Sequence, residues 1–262
     1  MDGGRASLSV SSLAKTFPGG VQAVKDVSFA AGPGELVALV GESGCGKTTT
    51  LKCVNRLLEP GNGRIEIGGE DIAGLDPVAL RRRIGWVMQG DGLFPHYTVF
   101  ENIAVVPRLL GWEAERIEAR VRELLQLVRL EPDEFSRRKP RALSGGQRQR
   151  VGVARALAAG PGLMLMDEPF GALDPITRDG LREDVAALQA ELNFAAVMVT
   201  HDMAEALLLA TRIAVMHQGE VIQYDTPDRL LAAPADERVS RMLESPLREA
   251  RRIGALGGGA DD

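Results

Sequence analysis

Cysteine, aromatic residues and long apolar runs are all scarce in this sequence of 262 residues. Its two cysteines, Cys45 and Cys53, are too few for a disulfide framework and lack metal-ligand spacing, so we expect reduced thiols. The longest uncharged run, 156–166, is interrupted by Gly160-Pro161-Gly162 and is shorter than the roughly 20 apolar residues that a membrane-spanning helix needs. The composition therefore argues against a disulfide-rich secreted domain and against a membrane-spanning protein.

An excess of positive charge is also missing. Lys and Arg total 31 against 36 Asp and Glu, which gives a formal net charge of -5. This balance provides no general attraction to nucleic acid or anionic lipid, so we expect no nucleic-acid partner and membrane contact only through another protein. Residues 1–10 lack a basic segment followed by an apolar one, which favours a cytoplasmic location without a signal peptide.

The most informative feature is a glycine-rich loop between a predicted strand and a predicted helix. Residues 41–48 read Gly-Glu-Ser-Gly-Cys-Gly-Lys-Thr and match G-x-x-x-x-G-K-[ST]. The apolar run Leu36–Val40 precedes the loop, and apolar residues at helical spacing over Thr49–Leu58 follow it. Such a loop surrounds a phosphate with backbone N–H groups, so Lys47 would reach the β- and γ-phosphates and Thr48 would bind Mg²⁺. A glycine-rich turn with a surface lysine is the alternative.

Polar residues follow two further predicted buried strands. Leu163–Met166 is an apolar run that ends in Asp167 and Glu168, and Ala195–Thr200 ends at His201. Open α/β sheets bind ligands at the carboxyl ends of their parallel strands, so we expect these side chains to lie near the phosphate loop. The alternatives are two carboxylates that cap the next helix and a structural histidine.

A second glycine pair begins another predicted helix. Ser144-Gly145-Gly146-Gln147 has the form of a capping box, with a serine at the N-cap and a glutamine three residues later. Each glycine in a first helical turn costs about 1 kcal/mol relative to alanine, which capping alone does not require. The pair is explained if a phosphate must approach the backbone N–H groups of that helix end.

The order of predicted elements indicates an α/β fold with insertions. Apolar alternation over Leu8–Phe17 and Ala23–Ala30 predicts antiparallel strands, and Thr98–Leu110 and Glu113–Leu130 predict an inserted helical segment. The predicted division is one domain over 1–240, with a core at about 1–90 and 160–240, a helical subdomain at about 91–159, and a short tail at 241–262. We expect the glycine-rich end of that tail, from Gly254, to be disordered.

Two phenylalanines have more than one interpretation, and one histidine has a single one. Phe17 either stacks on an adenine ring or is a half-buried strand residue. Phe94 lies in the segment 90–96, which is either a partner-facing loop or an ordinary connection whose Phe94 enters the core. His96 has no second ligand at metal spacing, so we expect no metal site there.

These motifs together resemble the ATP-binding subunits of ABC transporters. Leu143-Ser144-Gly145-Gly146-Gln147 is similar to the family's signature sequence, and the resemblance runs from Leu8 to about Leu243. It implies a P-loop NTPase (RecA-like) core with an antiparallel β subdomain and an inserted α-helical subdomain. It also implies ATP hydrolysis and a homodimer in which the signature of one subunit faces the ATP held by the other, with two intact sites.

The resemblance implies roles for individual residues. Glu168 would be the general base, Gln89 the Q-loop glutamine and His201 the switch histidine. The residues implied for ATP are Phe17, Gly41, Glu42, Ser43, Gly44, Cys45, Gly46, Lys47, Thr48, Thr49, Ser144, Gly145, Gly146, Gln147 and Asp174. Those implied for Mg²⁺ are Thr48, Gln89 and Asp167. Because the loop must be open to nucleotide, we also expect Cys45 to be within reach of thiol reagents.

Longer stretches look most like importers of osmoprotectants such as glycine betaine, proline, carnitine or choline. These stretches are 41–52, 54–60, 101–107 and 171–178. The implied partners are transmembrane permease subunits and a separate substrate-binding protein, which would put this chain on the inner face of the cell membrane. The alternatives are an importer ATPase for another small solute, such as an amino acid, a soluble cassette ATPase acting on ribosomes or DNA, and an assembly or regulatory ATPase.

Two departures from those importers affect the expectations. Gly90 and Asp91 stand where such proteins often carry a second glutamine, so the contact with the permease is expected to differ. Many of them continue into a C-terminal pair of CBS modules, and this sequence ends before such modules. We therefore expect no osmotic regulation through CBS modules within this polypeptide.

Overall fold

The computed structural model describes residues 7–90, 92–171 and 173–257. The strands are β1 (Leu8–Thr16), β2 (Gln22–Ala31), β3 (Leu36–Val40), β4 (Asn62–Ile67), β5 (Glu70–Asp71), β6 (Ile84–Val87), β7 (Leu163–Asp167), β8 (Ala195–Thr200), β9 (Arg212–His217) and β10 (Glu220–Asp225). The helices are α1 (Lys47–Val54), α2 (Pro77–Arg82), α3 (Val99–Leu109), α4 (Ala114–Leu127), α5 (Pro132–Phe135), α6 (Gly145–Leu157), α7 (Pro175–Leu192), α8 (Met203–Leu209), α9 (Pro227–Ala232) and α10 (Glu237–Gly257).

A ten-stranded sheet of order β5-β4-β1-β2-β10-β9-β3-β8-β7-β6 organises the fold. Its central strands β9, β3, β8, β7 and β6 are parallel to one another. Every residue of β3, β7 and β8 is buried, as expected for continuous apolar runs that helices cover on both faces. At the other end, β1 pairs antiparallel with β2 and β4. The predicted α/β class with an antiparallel β portion is confirmed.

Two hydrophobic clusters lie on opposite faces of the sheet. Successive residues of β3 alternate between them, because side chains in a strand point to opposite faces. Val37 and Leu39 pack with α1 and the antiparallel strands. Ala38 and Val40 pack with the long helices, where Val121 and Leu125 of α4 belong to the predicted apolar stripe. The loop at 41–48 therefore follows a strand that is packed on both of its faces.

Several element boundaries differ from the sequence-based prediction. Helix α1 ends at Val54 instead of Leu58, because Arg56 adopts a left-handed φ of 47° and its guanidinium donates to the carbonyls of Ile72 (2.9 Å) and Leu75 (2.6 Å). Helix α8 (Met203–Leu209) was not predicted. Helix α10 includes 254–257, so the predicted disorder is wrong there, whereas 258–262 lie outside the described residues. The proposed subdomain boundaries stay predictions.

Candidate nucleotide site

The loop between β3 and α1 wraps around the ammonium group of a buried lysine. Lys47 Nζ donates to the carbonyl oxygens of Gly41 at 2.6 Å and Glu42 at 2.9 Å. Gly46 has a φ of 105°, and a Cβ there would lie 2.5 Å from the carbonyl oxygen of Ala23. A residue other than glycine would therefore clash with the β2 backbone as well as strain its own. This packing fixes the loop at the start of α1.

The end of β7 brings a carboxylate to the first turn of α1. The hydroxyl of Thr48 donates to Asp167 Oδ1 at 3.0 Å, and Asp167 is buried. Burial raises the pKa of Asp167, the hydrogen bond from Thr48 partly opposes that shift, and the charge of Glu168 adds to it. A hydroxyl and a carboxylate that has lost solvation are the oxygen ligands that a hard cation prefers. These residues therefore fit Mg²⁺.

Glu168 is held by three contacts in a strained backbone conformation. Its φ is 47°, which is rare for a residue with a side chain, and its N–H donates to the carbonyl of Val199 at 3.0 Å. Gln89 Nε2 donates to Glu168 Oε2 at 2.9 Å. His201 Nδ1 lies 3.5 Å from Glu168 Oε1. Backbone strain of this kind costs about 1–3 kcal/mol and is found where function requires a particular orientation.

A cavity of about 310 Å³ joins the loop to these side chains. It is lined by Ser43, Gly44, Gly46, Lys47, Thr48, Thr49, Glu168 and His201. The structure therefore brings the loop, Glu168 at the end of β7 and His201 to one cavity, as predicted. Gln89 and Asp167 do not line this cavity. Each is hydrogen-bonded to a residue that does, Gln89 to Glu168 and Asp167 to Thr48.

The glycine pair of the second motif begins α6, as predicted. Gln147 N–H donates to Ser144 Oγ at 3.2 Å, and Ser144 N–H donates to Gln147 Oε1 at 2.9 Å, which completes the capping box. A methyl group at Gly146 would overlap Thr177 Cγ2, whereas one at Gly145 would meet nothing closer than 3.9 Å. Packing therefore explains Gly146 but not Gly145.

The helix after β7 is capped by neither of the two carboxylates at the strand end. Asp174 is the N-cap of α7 and accepts a hydrogen bond from Thr177 N–H at 3.1 Å. Hydrogen bonds from the Thr177 side chain and backbone hold the pKa of Asp174 below its usual value. The capping alternative for Asp167 and Glu168 is therefore wrong.

Other predicted residues lie apart from the cavity or behave differently. Phe17 is half-buried, and Lys15 Nζ lies 5.7 Å from its ring centroid. Phe94 is exposed beside the rings of His96 and Tyr97, so it does not enter the core. No group of three or more His, Cys, Asp or Glu side chains that could hold a metal ion occurs in the part of the chain that the structure describes. Cys45 is buried, which contradicts the expected access for thiol reagents.

Sequence reasoning missed an ion pair next to Asp202, the residue that follows His201. Arg182 of α7 pairs with Glu205 of α8 at 2.8 Å. The two residues are separated by a whole strand in the sequence, and no short motif links them. A carboxylate among the apolar residues of Met203–Leu209 is the one signal that pointed to a buried partner.

The fold and the loop define a P-loop NTPase core. The sequence model of the family described as "ABC transporter" matches residues 24–171. The chain belongs to this family. Among the helices of residues 7–90, 92–171 and 173–257, none is both long and apolar enough to cross a membrane.

Individual relatives agree with this assignment. The chain is 51% identical over 252 residues to the choline transport ATP-binding protein OpuBA of Bacillus subtilis, covering 94% of this chain and 66% of that protein. It is 53% identical over 236 residues to the glycine betaine/carnitine/choline transport ATP-binding protein OpuCA of the same species, covering 90% and 62%. The chain thus spans less than two thirds of the length of either relative.

A solved structure is similar as well. It is a dimeric post-hydrolysis state of an ATP-binding cassette bound to ADP and Pi. The TM-score is 0.75 at 34% sequence identity, and the match covers 84% of this chain and 98% of the other.

Proposed function

We propose that this chain binds and hydrolyses ATP and thereby drives a membrane permease that imports an osmoprotectant. The observation that carries the proposal is the position of Glu168. Its carboxylate lies at the phosphate-loop cavity, where Gln89 Nε2 donates to it at 2.9 Å and His201 Nδ1 lies 3.5 Å away. A base held in this way beside a phosphate site is suited to activating water against a phosphoryl group.

Nucleotide binding is assigned to the loop and the residues around it. Gly41–Thr49 would cradle the phosphates, with Lys47 as their cation, and Phe17 would stack on the adenine. Thr48, Asp167 and Gln89 would hold Mg²⁺, which neutralises charge on the β- and γ-phosphates when bound. Asp167 suits this role because its burial leaves its negative charge without full solvation.

The reaction follows from the contacts of Glu168. Its carboxylate accepts a proton as the water oxygen attacks the γ-phosphorus. The bond from the γ-phosphorus to the bridging oxygen breaks, and ADP leaves with that oxygen. Gln89 and His201 fix the direction of the carboxylate, and His201 also lines the cavity and so faces the γ-phosphate.

The active form is proposed to be a homodimer. Ser144–Gln147 and Asp174 do not line the cavity of their own chain, whereas Gly145 is exposed at the start of α6, where a methyl group would meet no atom closer than 3.9 Å. A helix N-terminus with an exposed glycine is suited to a phosphate that approaches from outside. The similar cassette bound to ADP and Pi is dimeric, which supports two chains enclosing two nucleotides.

The proposed permease contact includes Phe94 of the segment 90–96, which is exposed, and the surface between α2 and the end of α3. A cavity of about 420 Å³ there is lined by Ala79 and Arg82 of α2, by Leu110 and by the Gly160–Gly162 turn. Val78 and Leu110 expose apolar side chains beside it. An exposed apolar patch of this kind favours a protein partner. We place the chain on the inner face of the cell membrane through that partner, with a separate binding protein delivering the solute.

The choice of solute rests on relatives. The proteins named for choline transport and for glycine betaine/carnitine/choline transport are 51% and 53% identical to this chain. We therefore propose a quaternary-ammonium or amino-acid osmoprotectant. If a permease co-purifies but none of these solutes stimulates ATP hydrolysis, the better interpretation is an importer ATPase for another small solute. If no permease co-purifies, the better interpretation is a soluble ATPase.

The catalytic part is tested by ATP turnover of purified protein. Glu168→Gln is expected to lower turnover by at least about 100-fold because it removes the base, while ATP binding is kept. Lys47→Ala is expected to weaken ATP binding itself. Glu183→Gln is the control, since Glu183 is an exposed carboxylate of α7. Turnover near the wild-type rate in Glu168→Gln would refute the assignment of the base.

The transport part is tested by affinity purification from detergent-solubilised native membranes. A multi-span permease is expected to co-purify, and the reconstituted complex should hydrolyse ATP faster with its solute than without it. Betaines, choline, carnitine and amino acids are the candidates to compare. Recovery of the chain alone, or with soluble partners only, would overturn the transport proposal while leaving the ATPase assignment intact.

A further inference from the structure

A buried ion pair holds the chain directly after His201. Arg182 of α7 donates to Glu205 Oε1 from Nη2 at 2.8 Å and from Nε at 3.1 Å. The two side chains are 13% and 5% exposed. Arg182 Nη2 also lies 3.5 Å from Asp202 Oδ2, which places one guanidinium across both carboxylates. Charges this deeply buried are expensive unless they are well paired, so the geometry is well defined.

The carboxylates that Arg182 holds control the backbone at His201. Asp202 follows His201 and is the N-cap of α8, where its Oδ1 accepts from Glu205 N–H at 3.2 Å. Asp202 N–H donates to Thr200 Oγ1 at 3.0 Å. His201 therefore lies in a turn whose two neighbours are both fixed. Its own side chain is largely exposed, so its position depends on that turn.

Two carboxylates that Arg182 contacts, Asp202 and Glu205, line a cavity together with Glu168. A small cavity of about 40 Å³ is lined by Glu168 and His201 together with Asp202 and Glu205. Its remaining lining comes from Phe170, Gly171, Arg178 and Thr200. A shift of α8 away from α7 would open this space and displace His201 from Glu168.

We infer that Arg182 and Glu205 are positioning residues that hold His201 against Glu168 and the γ-phosphate. This inference rests on the proposed ATPase function and adds residues that do not line the phosphate-loop cavity. A group misplaced by about 1 Å loses up to about 100-fold in rate, so a modest loosening of the turn is enough to matter. The competing interpretation is that the ion pair only stabilises the fold.

A matched ion pair elsewhere in the chain separates these two interpretations. Arg150 of α6 pairs with Asp184 of α7, and the two side chains are 16% and 2% exposed. They are similar to Arg182 and Glu205 in chemistry and burial, although Asp184 also pairs with Arg129 Nε at 2.8 Å, and they do not line the small cavity. Arg150→Gln therefore reproduces the loss of a buried ion pair without the predicted effect on His201.

The first readout is steady-state ATP turnover of the full chain. We expect Arg182→Gln to lower kcat roughly tenfold while the KM for ATP changes less than about twofold, and Arg182→Lys to recover part of kcat. In a His201→Ala background, Arg182→Gln should cause little further loss, because both changes act through the same side chain. Any loss of kcat that Arg150→Gln causes should be the same with and without His201→Ala.

The second readout does not depend on activity. The chain has three histidines, so the imidazole Cε1–H resonances can be assigned by substitution. Arg182→Gln should move the His201 resonance and leave those of His96 and His217 in place, whereas Arg150→Gln should move none. The inference is overturned if the His201 resonance is unchanged in Arg182→Gln and if Arg182→Gln and Arg150→Gln lower kcat equally. Full turnover by His201→Ala would instead overturn the role proposed for His201 itself.

Discussion

At the scale of single residues, Asp167 carries a charge that the fold solvates poorly. Burial raises its folded-state pKa above the unfolded value, so the folded chain retains a proton over the interval between the two values. Stability therefore falls as the pH rises through that interval, and at neutral pH the ionised carboxylate is destabilising. A cation bound there would reverse that cost.

Asp167→Asn is accordingly expected to change stability in two opposite ways. Without Mg²⁺ at pH 7, its melting temperature should equal or exceed that of the unsubstituted chain, because the poorly solvated charge is gone. With Mg²⁺ and ATP, it should lose most of the stabilisation that the unsubstituted chain gains. Thermal unfolding measures both, and Asp133→Asn on the exposed face of the helical segment is the control. Equal stabilisation by Mg²⁺ and ATP in both proteins would contradict the proposed cation site.

The two cysteines are expected to react slowly in the folded protein. Both are buried, and burial raises the pKa of Cys53 to about 11, so only about one thiol in a thousand is ionised at pH 8. Alkylation by iodoacetamide at that pH, followed by mass spectrometry, should be far slower than in the urea-unfolded chain. Rapid labelling of Cys45 that ATP suppresses would show that the loop opens more than its packing indicates.

At the scale of elements, the contact between α6 and α7 distinguishes the two glycines of the second motif. Gly146→Ala places a methyl group on Thr177 and should destabilise the fold by about 1–3 kcal/mol. Gly145→Ala has room for its methyl group within the chain, so the free energy of unfolding should be unchanged or raised by up to about 1 kcal/mol. If Gly145 serves a phosphate on a second chain, Gly145→Ala should nevertheless lose ATP turnover.

Urea unfolding and ATP turnover test this pair of expectations together. A loss of stability in Gly145→Ala equal to that in Gly146→Ala would contradict the packing argument. Full turnover in a stably folded Gly145→Ala would argue against a phosphate that approaches this helix end.

At the scale of the whole molecule, the proposed dimer should depend on surface that the monomer leaves exposed. Ile176 lies in the first turn of α7 beside Asp174, and it is 86% exposed. In the Glu168→Gln background with ATP, Ile176→Asp is expected to weaken dimerisation while the melting temperature of the monomer stays the same. Size-exclusion chromatography with light scattering measures the dimer. Leu208→Asp, at a position 76% exposed on α8, is the control, and an equal loss in both would remove Ile176 from the interface.

The sequence predicted those parts of the fold that depend on local pattern. Runs such as Leu36–Val40 and Ala195–Thr200 are strands as predicted, because a continuous apolar run of this length is stable only when buried on both faces. The neighbourhood of Thr48, Asp167 and Glu168 was also predictable, since the carboxyl ends of parallel strands meet at one edge.

What could not be predicted depends on contacts that are distant in the sequence. Helix α1 ends early because Arg56 reaches carbonyls of a later turn, and Gly146 is a glycine partly because Thr177 lies against it. The pair of Arg182 and Glu205 likewise has no local pattern. Each of these required the tertiary arrangement before its cause was visible.

The left-handed backbone at Glu168 has a consequence for protein engineering. Glycine adopts a φ of 47° without steric cost, so Glu168→Gly should relieve strain at the same position where it removes the proposed base. A selection for heat resistance alone would therefore favour inert variants at this position. Under the proposed role, stability and chemistry make opposite demands on Glu168, and this sequence has the residue that the proposed chemistry requires.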